Sequence, residues 1–301
     1  MRPRVHVMEP VPAPVAEALA RDFELVDSPV GADGIVAMLT RRVDDEYLGA
    51  AGEQLRVVAN YGVGVDNVDL DAARRRGVVV SNTPDVLTRA TAELTIALIL
   101  ALLRRVAEGD RFVRRRTPWH FSLEFMLGQG LEGKVLGIVG PGRIGKEVAR
   151  LGEGLGLLPR FAGRGDELEL LLQGADIVSL HCPLTPETRH LIDAAALASM
   201  KPTAVLVNTS RGAVVDEAAL VESLREGRIA GAALDVYEFE PDVNEGLLGL
   251  ENVVLTPHIA SATRETRVAM GMLCVEALRA VLLENRIPAN AVVASDDVII
   301  E

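Results

Sequence analysis

The chain has 301 residues, of which 49% are hydrophobic and 25% charged, with a formal net charge of −12. That composition suits a globular protein with ample core, built as one large domain or two of ordinary size, and so acidic a chain is not expected to grip a nucleic-acid backbone. Two cysteines, Cys182 and Cys274, exclude a disulfide framework and lack zinc-site spacing, so no metal is expected either.

The N-terminal stretch MRPRVHVMEP has no apolar signal core, and the most apolar run, LTIALILALL at residues 94–103, is too short to span a bilayer. No membrane association and a cytoplasmic location are therefore expected. Over the first 90 residues, RVHVM, GIVAMLT, LRVVANYG and GVVVSN read as buried strands separated by helical patterns such as DEYLGAAG and DLDAARRRG. Alternation of this kind implies a parallel sheet covered by helices. The arginine runs at 74–76 and 114–116 read as solvated helix faces. Residues 90–115 read as one long helix, apolar nearly all round, buried between domains or against a second subunit.

From Val135 the alternation resumes, with KVLGIVG, LLPRFAG, ADIVSLH, TAVLVNT, IAGAALDV and NVVLTPH as strands. After His258 comes one long amphipathic helix, expected to cross back to the first block. Gly140, Gly142 and Gly145 spell G-x-G-x-x-G between a strand and a helix. The first glycine permits the tight turn, the second lets backbone approach a pyrophosphate, and the third allows helix to pack on strand. The diphosphate would lie at the helix N-terminus, where N–H groups and the dipole favour negative charge. The fold expected is α/β, with two doubly wound parallel-sheet domains. A Rossmann dinucleotide-binding domain, residues 91–267, is inserted into a flavodoxin-like substrate domain made of residues 1–90 and 268–301.

An acidic residue some twenty positions on would grip the ribose of NAD. That spacing instead reaches Gly163 and Arg164, with no carboxylate. Arg164 would suit a 2′-phosphate, which favours NADP over NAD, or it is simply an arginine in an exposed turn. Three further strand ends carry polar residues where such sheets place ligands: Arg211; Asp235, Glu238 and Glu240; and His258. An arginine, a carboxylate and a histidine together suit acid–base work on an anionic substrate.

The motifs VGPGRIG, HCPLTPETRHLI, VNTSRGAVVDEAAL, GAALDVYEFEP and NVVLTPHIAS resemble the D-isomer-specific 2-hydroxyacid dehydrogenase family. NYGVGVDNVDL and SNTPDVLTRATAEL extend the likeness into the first domain and are most similar to its glyoxylate and hydroxypyruvate reductase branch. The resemblance implies hydride transfer between NAD(P)H and a small 2-keto acid in a cleft between the domains. It gives Arg211 to the substrate carboxylate and carbonyl, His258 to proton donation, and Glu240, before Pro241, to orienting and charging that histidine, with Glu238 as a rival. It assigns cofactor contacts to Gly140, Gly142, Arg143, Ile144, Gly145, Gly163, Arg164, Cys182, Pro183, Thr188, Thr209, Ser210, Asp235 and Ala260. Substrate contacts fall on the backbone of Val63 and Gly64, on Leu87 and Thr91, and on Arg211. It also implies a homodimer built through residues 90–115, with Trp119 or its neighbours near the partner's cleft.

The chain departs from the family in a short segment between Gly163 and Ala175, where a small strand and loop are expected to be missing. No appended regulatory domain is expected after the last helix. The rival readings are an NAD-linked dehydrogenase of another D-2-hydroxy acid or phosphoglycerate, and a non-enzymatic dinucleotide-sensing corepressor.

Overall fold

The computed structural model describes residues 1–166 and 168–294. They form two compact units: Met1–Leu87 with the chain from Ser261 onward, and Thr88–Ala260. The chain enters the second unit where a helix begins at Thr88 and leaves it after Ala260, not at 91 and 267 as drawn from the sequence. In the first unit, β1 (Arg4–Val7), β2 (Glu24–Val26), β3 (Gly34–Ala37), β4 (Val57–Asn60) and β5 (Val79–Ser81) alternate with α1 (Ala13–Asp22), α2 (Asp45–Ala51) and α3 (Leu70–Arg75). The second unit opens with α4 (Thr88–Leu103) and α5 (Val106–Arg114). It continues through β6 (Val135–Val139), α6 (Arg143–Glu153), β7 (Leu158–Ala162), α7 (Leu168–Gly174), β8 (Ile177–Leu180) and α8 (Ala194–Ser199). It ends with β9 (Val205–Asn208), α9 (Glu217–Arg225), β10 (Gly231–Leu234), α10 (Glu245–Leu248) and β11 (Val253–Leu255). The chain returns to the first unit through α11 (Arg264–Leu282) and β12 (Ala291–Val293).

The first unit has the strand order β2-β1-β3-β4-β5, with β12 added antiparallel on β5. Its parallel part is the 2-1-3-4-5 order of flavodoxin-like folds. The long helix α11 packs on β4 and α1 and so completes this unit. The loop after β4 is held by its carbonyls. Thr83 N–H donates to that of Gly62 (3.0 Å), Asn82 Nδ2 to that of Val63 (2.9 Å) and Asn60 Nδ2 to that of Gly64 (2.8 Å).

In the second unit the order is β7-β6-β8-β9-β10-β11, all parallel. Both faces are buried, and successive residues serve opposite faces because side chains alternate along a strand. Ile177, Val205 and Val207 pack with Ile96, Ile99 and Val148 from α4 and α6. Val178, Leu180 and Leu206 pack with Leu172, Leu197 and Leu220 from α7, α8 and α9. Dinucleotide domains usually carry a third strand outside the second, in the order 3-2-1-4-5-6. Here the chain runs from β7 into α7, and β7 is the sheet edge, with Leu158 and Phe161 exposed.

The expected single helix over 90–115 is two. Arg105 stands between them in the left-handed region at φ 53°, its guanidinium paired with both Glu108 oxygens at 2.6 and 2.7 Å. The Leu103 carbonyl, which would otherwise continue α4, instead accepts the N–H of Gln129 at 2.8 Å. Helix α4 packs against α6 and the sheet of its own unit, whereas the expectation was burial between domains or against a second subunit; α5 buries no residue within the chain.

At the β6–α6 turn the three glycines have separable reasons. Gly140 has φ 95°, and a Cβ there would lie 2.7 Å from the Cys182 nitrogen. At Gly145 a Cβ would overlap the Gly140 carbonyl and stand 2.9 Å from Ile138 Cγ2. At Gly142 it would meet nothing within 4 Å. Gly145→Ala should therefore overpack the turn and destabilise this unit by about 1–3 kcal/mol, lowering its urea midpoint. Gly142→Ser, which adds a side chain at an N-cap in open space, should leave the midpoint unchanged or raise it.

Candidate active site

The sheet of the second unit reverses order between β6 and β8, and the crevice outside the strand ends at such a switch point is where ligands bind. The glycine turn lies there. Helix α6 has no side-chain cap; its N-cap is Gly142, so its first N–H groups are left to an outside acceptor. With room for backbone approach at Gly142, these features fit the diphosphate of a dinucleotide. Gly163, at the end of β7, stands over the same turn, with Pro141 Cγ 3.3 Å from where its Cβ would be. Cys182 is buried at the end of β8, and burial pushes its thiol up, away from thiolate chemistry.

One expectation at this end is corrected. A carboxylate does stand at the tip of β7, because the loop folds back and Asp166 Oδ2 accepts the Gly163 N–H at 2.6 Å. Arg164 is exposed, and its charge reaches Glu187 on the neighbouring loop. The Glu187 carboxyl is held below its ordinary range first by the Thr185 hydroxyl and its own backbone, and then by Arg164. Thr188 donates its hydroxyl to the Pro183 carbonyl at 2.6 Å, so that side chain shapes its own loop.

The ends of β9, β10 and β11 carry the acid–base groups. Asn208 folds the loop after β9: its Nδ2 donates to the Arg211 carbonyl (2.8 Å), and its Oδ1 accepts from Ser210 N–H (3.0 Å) and Oγ (2.9 Å). Arg211 in turn donates from Nη1 to the Ser210 carbonyl at 2.8 Å. The Thr209 hydroxyl meets that of Thr95 on α4 at 2.9 Å, and Thr91 is buried one turn earlier on that helix. Gly212 runs against the Tyr237–Glu238 peptide so closely that a Cβ would overlap it.

Asp235 is fully buried after β10. Its Oδ1 accepts from Thr256 Oγ1 (2.6 Å) and Ile259 N–H (2.8 Å), and its Oδ2 from Ala260 N–H (2.8 Å). The Asp235 backbone carbonyl accepts the His258 N–H at 2.8 Å. Together these bonds bracket His258, whose φ of 51° lies in the left-handed region that non-glycine residues rarely adopt. Such a conformation costs about 1–3 kcal/mol and persists only when its surroundings over-determine it. Asp235, expected to contact the cofactor, makes its three side-chain bonds to the histidine's loop.

Glu240 Oε2 lies 2.8 Å from His258 Nδ1, while its Oε1 accepts the Tyr237 N–H at 2.9 Å. Burial pushes the Glu240 carboxyl up, but the hydrogen bond and charge of His258, the Tyr237 N–H and the Arg211 charge outweigh it and hold the group below its ordinary value. With Nδ1 engaged, Nε2 is the His258 atom able to pass a proton outward. The rival Glu238 faces elsewhere, with its Oε1 2.7 Å from His190 Nε2 and 2.9 Å from Arg189 Nη2. Val63, Gly64 and Leu87 lie in the first unit.

Sequence reasoning missed Asn208, Tyr237 and Asp166. Asn208 ended a recognised strand and had the side chain of a loop former. Tyr237 acts through its backbone, which no residue type reveals. Among the described residues, no cluster of His, Cys, Asp or Glu is placed to hold a metal ion, and no helix is long and apolar enough to cross a membrane.

Comparison with known proteins agrees with this geometry. The family described as "D-isomer specific 2-hydroxyacid dehydrogenase, NAD binding domain" matches residues 96–260. The chain is 46% identical over 325 aligned residues to a glyoxylate reductase of Aeropyrum pernix, covering 97% of this chain and 96% of that one. It is similar to the solved structure of a Thermus thermophilus protein at a TM-score of 0.90 and 44% identity, over 96% of this chain and 100% of that one. It is also similar to an NADPH-dependent glyoxylate/hydroxypyruvate reductase of Sinorhizobium meliloti in complex with NADP and malonate. There the TM-score is 0.86 and the identity 35%, over 97% of each chain. With a glycine turn fit for a nicotinamide dinucleotide after β6 and a histidine–glutamate pair on the loops after β11 and β10 of the same sheet, the chain belongs to the D-isomer-specific 2-hydroxyacid dehydrogenase family and is an NAD(P)-dependent oxidoreductase.

Proposed function

We propose that this enzyme reduces glyoxylate and hydroxypyruvate, giving glycolate and D-glycerate. The observation that carries the reading is the His258–Glu240 pair, within electrostatic reach of Arg211. When bound, the reduced nicotinamide supplies the hydride. Arg211 pairs with the substrate carboxylate through its planar guanidinium and orients the carbonyl. His258 Nε2 delivers a proton to the carbonyl oxygen as negative charge develops there, and Glu240 favours the charged imidazole beforehand. The N–H groups of Val63 and Gly64, with Leu87 and Thr91, are the further substrate contacts in this reading. Gly140, Gly142, Arg143, Ile144, Gly145, Thr209, Ser210 and Ala260 are those of the cofactor. The similarity to glyoxylate reductases over nearly the whole chain supports the choice of substrates.

Mixing the enzyme with NADPH or NADH and either keto acid should consume the cofactor, and no turnover with both would overturn the reading. His258→Gln should cost about 10²–10⁴-fold in rate. Reduction needs protonated His258, and removing a neighbouring negative charge lets an imidazole lose its proton at lower pH. Glu240→Gln should therefore move the alkaline limb of the reductive pH profile downward. An unmoved limb would take Glu240 out of the mechanism.

We propose NADPH as the preferred cofactor, with Arg164 on the 2′-phosphate and Asp166 working against it. A charge-assisted contact of roughly 1.5–3 kcal/mol alone would give about 10–150-fold discrimination. The Asp166 carboxylate beside Gly163 should hold wild type below that. Arg164→Ala should damage NADPH use selectively, and Asp166→Ala should widen the preference for NADPH. A wild type that prefers NADH would instead give the ribose to Asp166.

The proposed assembly is a homodimer. Helix α5 buries nothing within its own chain, Val106 and Val113 project from it, and Trp119, Phe121, Leu123 and Leu127 are exposed on the following segment. Apolar surface on that scale marks an interface, and we place Trp119 or its neighbours near the partner's site. Light scattering at micromolar concentration should give twice the chain mass, and a monomer would refute this. The cytoplasm is the proposed location, in keeping with Cys182 and Cys274 as buried free thiols.

A further inference from the structure

Glu217 is the second residue of the chain's DEAAL segment and opens helix α9. Its helix does not need it, because Asp216 already caps α9 by accepting the Ala219 N–H at 3.0 Å. An acidic residue in a first turn is ordinarily exposed and serves the helix dipole. Glu217 is 4% exposed. A carboxylate taken out of water that far must be repaid by specific partners, and its partners are backbone groups of the loop that carries Glu240. Glu217 Oε1 accepts the Glu238 N–H at 2.5 Å, and the Asn244 N–H is a second donor.

We propose that Glu217 is a positioning residue for the acid pair: by holding the Glu238 N–H it fixes the stretch from which the Tyr237 N–H presents Glu240 to His258. The inference rests on His258 being the proton donor. The chain of contacts is short. Glu217 holds the peptide nitrogen of Glu238; the preceding Tyr237 N–H holds Glu240 Oε1; Glu240 Oε2 holds His258 Nδ1. The same stretch is the surface against which Gly212 is packed, so it also limits where the neighbouring Arg211 can stand.

The charged groups around Glu217 are set out unequally. Glu238 is matched by Arg189 and His190, and Glu240 by His258 and Arg211. Among the described residues, the donors to Glu217 are backbone N–H groups. Burial pushes its carboxyl up; the Glu238 and Asn244 N–H groups act against this, while the Glu238 and Glu240 charges add to it, and the net direction is upward. A neutral amide of the same shape can accept the same N–H, so length and shape at this position matter more than charge.

The test uses Glu217→Gln, Glu217→Ala and Glu217→Asp in the full chain. The midpoint of the His258 imidazole is followed by NMR titration, its signal assigned by its loss in His258→Gln. The reductive pH profile is measured alongside. Glu217→Ala should lower the His258 midpoint, and the alkaline limb with it, by up to about one pH unit, toward the values of Glu240→Gln. Glu217→Asp, one methylene too short to reach the Glu238 N–H, should do the same and serves if the alanine variant does not fold. Glu217→Gln should keep the wild-type midpoint. Added to Glu240→Gln, Glu217→Ala should shift it no further. Wild-type midpoints in both the Ala and Asp variants, even with a lowered melting temperature, would overturn the proposal, as would a Gln variant that shifts as far as Ala. The midpoint is read without turnover, so a protein that reduces no keto acid would count against the reductase reading alone.

Discussion

One nitrogen of His258 is held by a carboxylate, and much of the second unit is organised around that contact. His258 Nδ1 is taken by Glu240, so the ring can turn only about the bond it has already made. Glu240 needs steering too, and receives it from the Tyr237 backbone N–H, three residues before it. The His258 backbone is itself strained, and the buried Asp235 carboxylate answers that with three bonds to the surrounding loop. Each partner is thus fixed by a further one deeper in the fold. The series ends at three adjacent parallel strands, β9, β10 and β11, whose pairing in register brings their C-terminal loops to one edge. Parallel pairing is what makes three loops converge; an antiparallel strand in the middle would send its loop to the opposite edge.

The two ends of the site obey different electrostatics. Around His258, the histidine and Glu240 are each about two-thirds removed from water, so their interaction is only partly screened. At the tip of β7, Arg164, Asp166 and Glu187 are all exposed. Charges there act through water and salt, over a Debye length of about 8 Å at physiological ionic strength. The His258 end is therefore the exacting one, and the tip of β7 the one where exchanging charges is tolerated without loss of fold.

What could be read from the sequence follows from how local each cause is. The central strands were legible because burial on both faces leaves continuous apolar runs, as in GIVA and VLGIV. The strands β2 and β12 were not: each has three residues, lies at or near an edge, and is partly exposed. The break at Arg105 has no proline or glycine to announce it, because the group that ends α4 arrives from Gln129, more than twenty residues on. Glu238 and Glu240 are alike in spacing and type. Apart from the proline after Glu240, backbone direction separates them, since it aims one at His190 and the other at His258. Asp166 was passed over because its position along the chain is three residues late, while in space its carboxylate folds back onto Gly163.

Among the described residues no strand pairs with the outer side of β7, and an open edge is a template for another chain to add to. Leu158 donates its N–H to the Lys134 carbonyl and the Ala162 carbonyl accepts from Gly140, so these residues face β6. In a parallel strand alternate residues face alternate sides, which turns the backbone of Pro159 outward. A proline there offers an incoming strand no N–H, and Arg160 beside it adds a charge. A third strand would have met a missing donor at that position. An edge strand and a proline on its outward side are mutually consistent: a residue that cannot serve a neighbouring strand discourages one from adding.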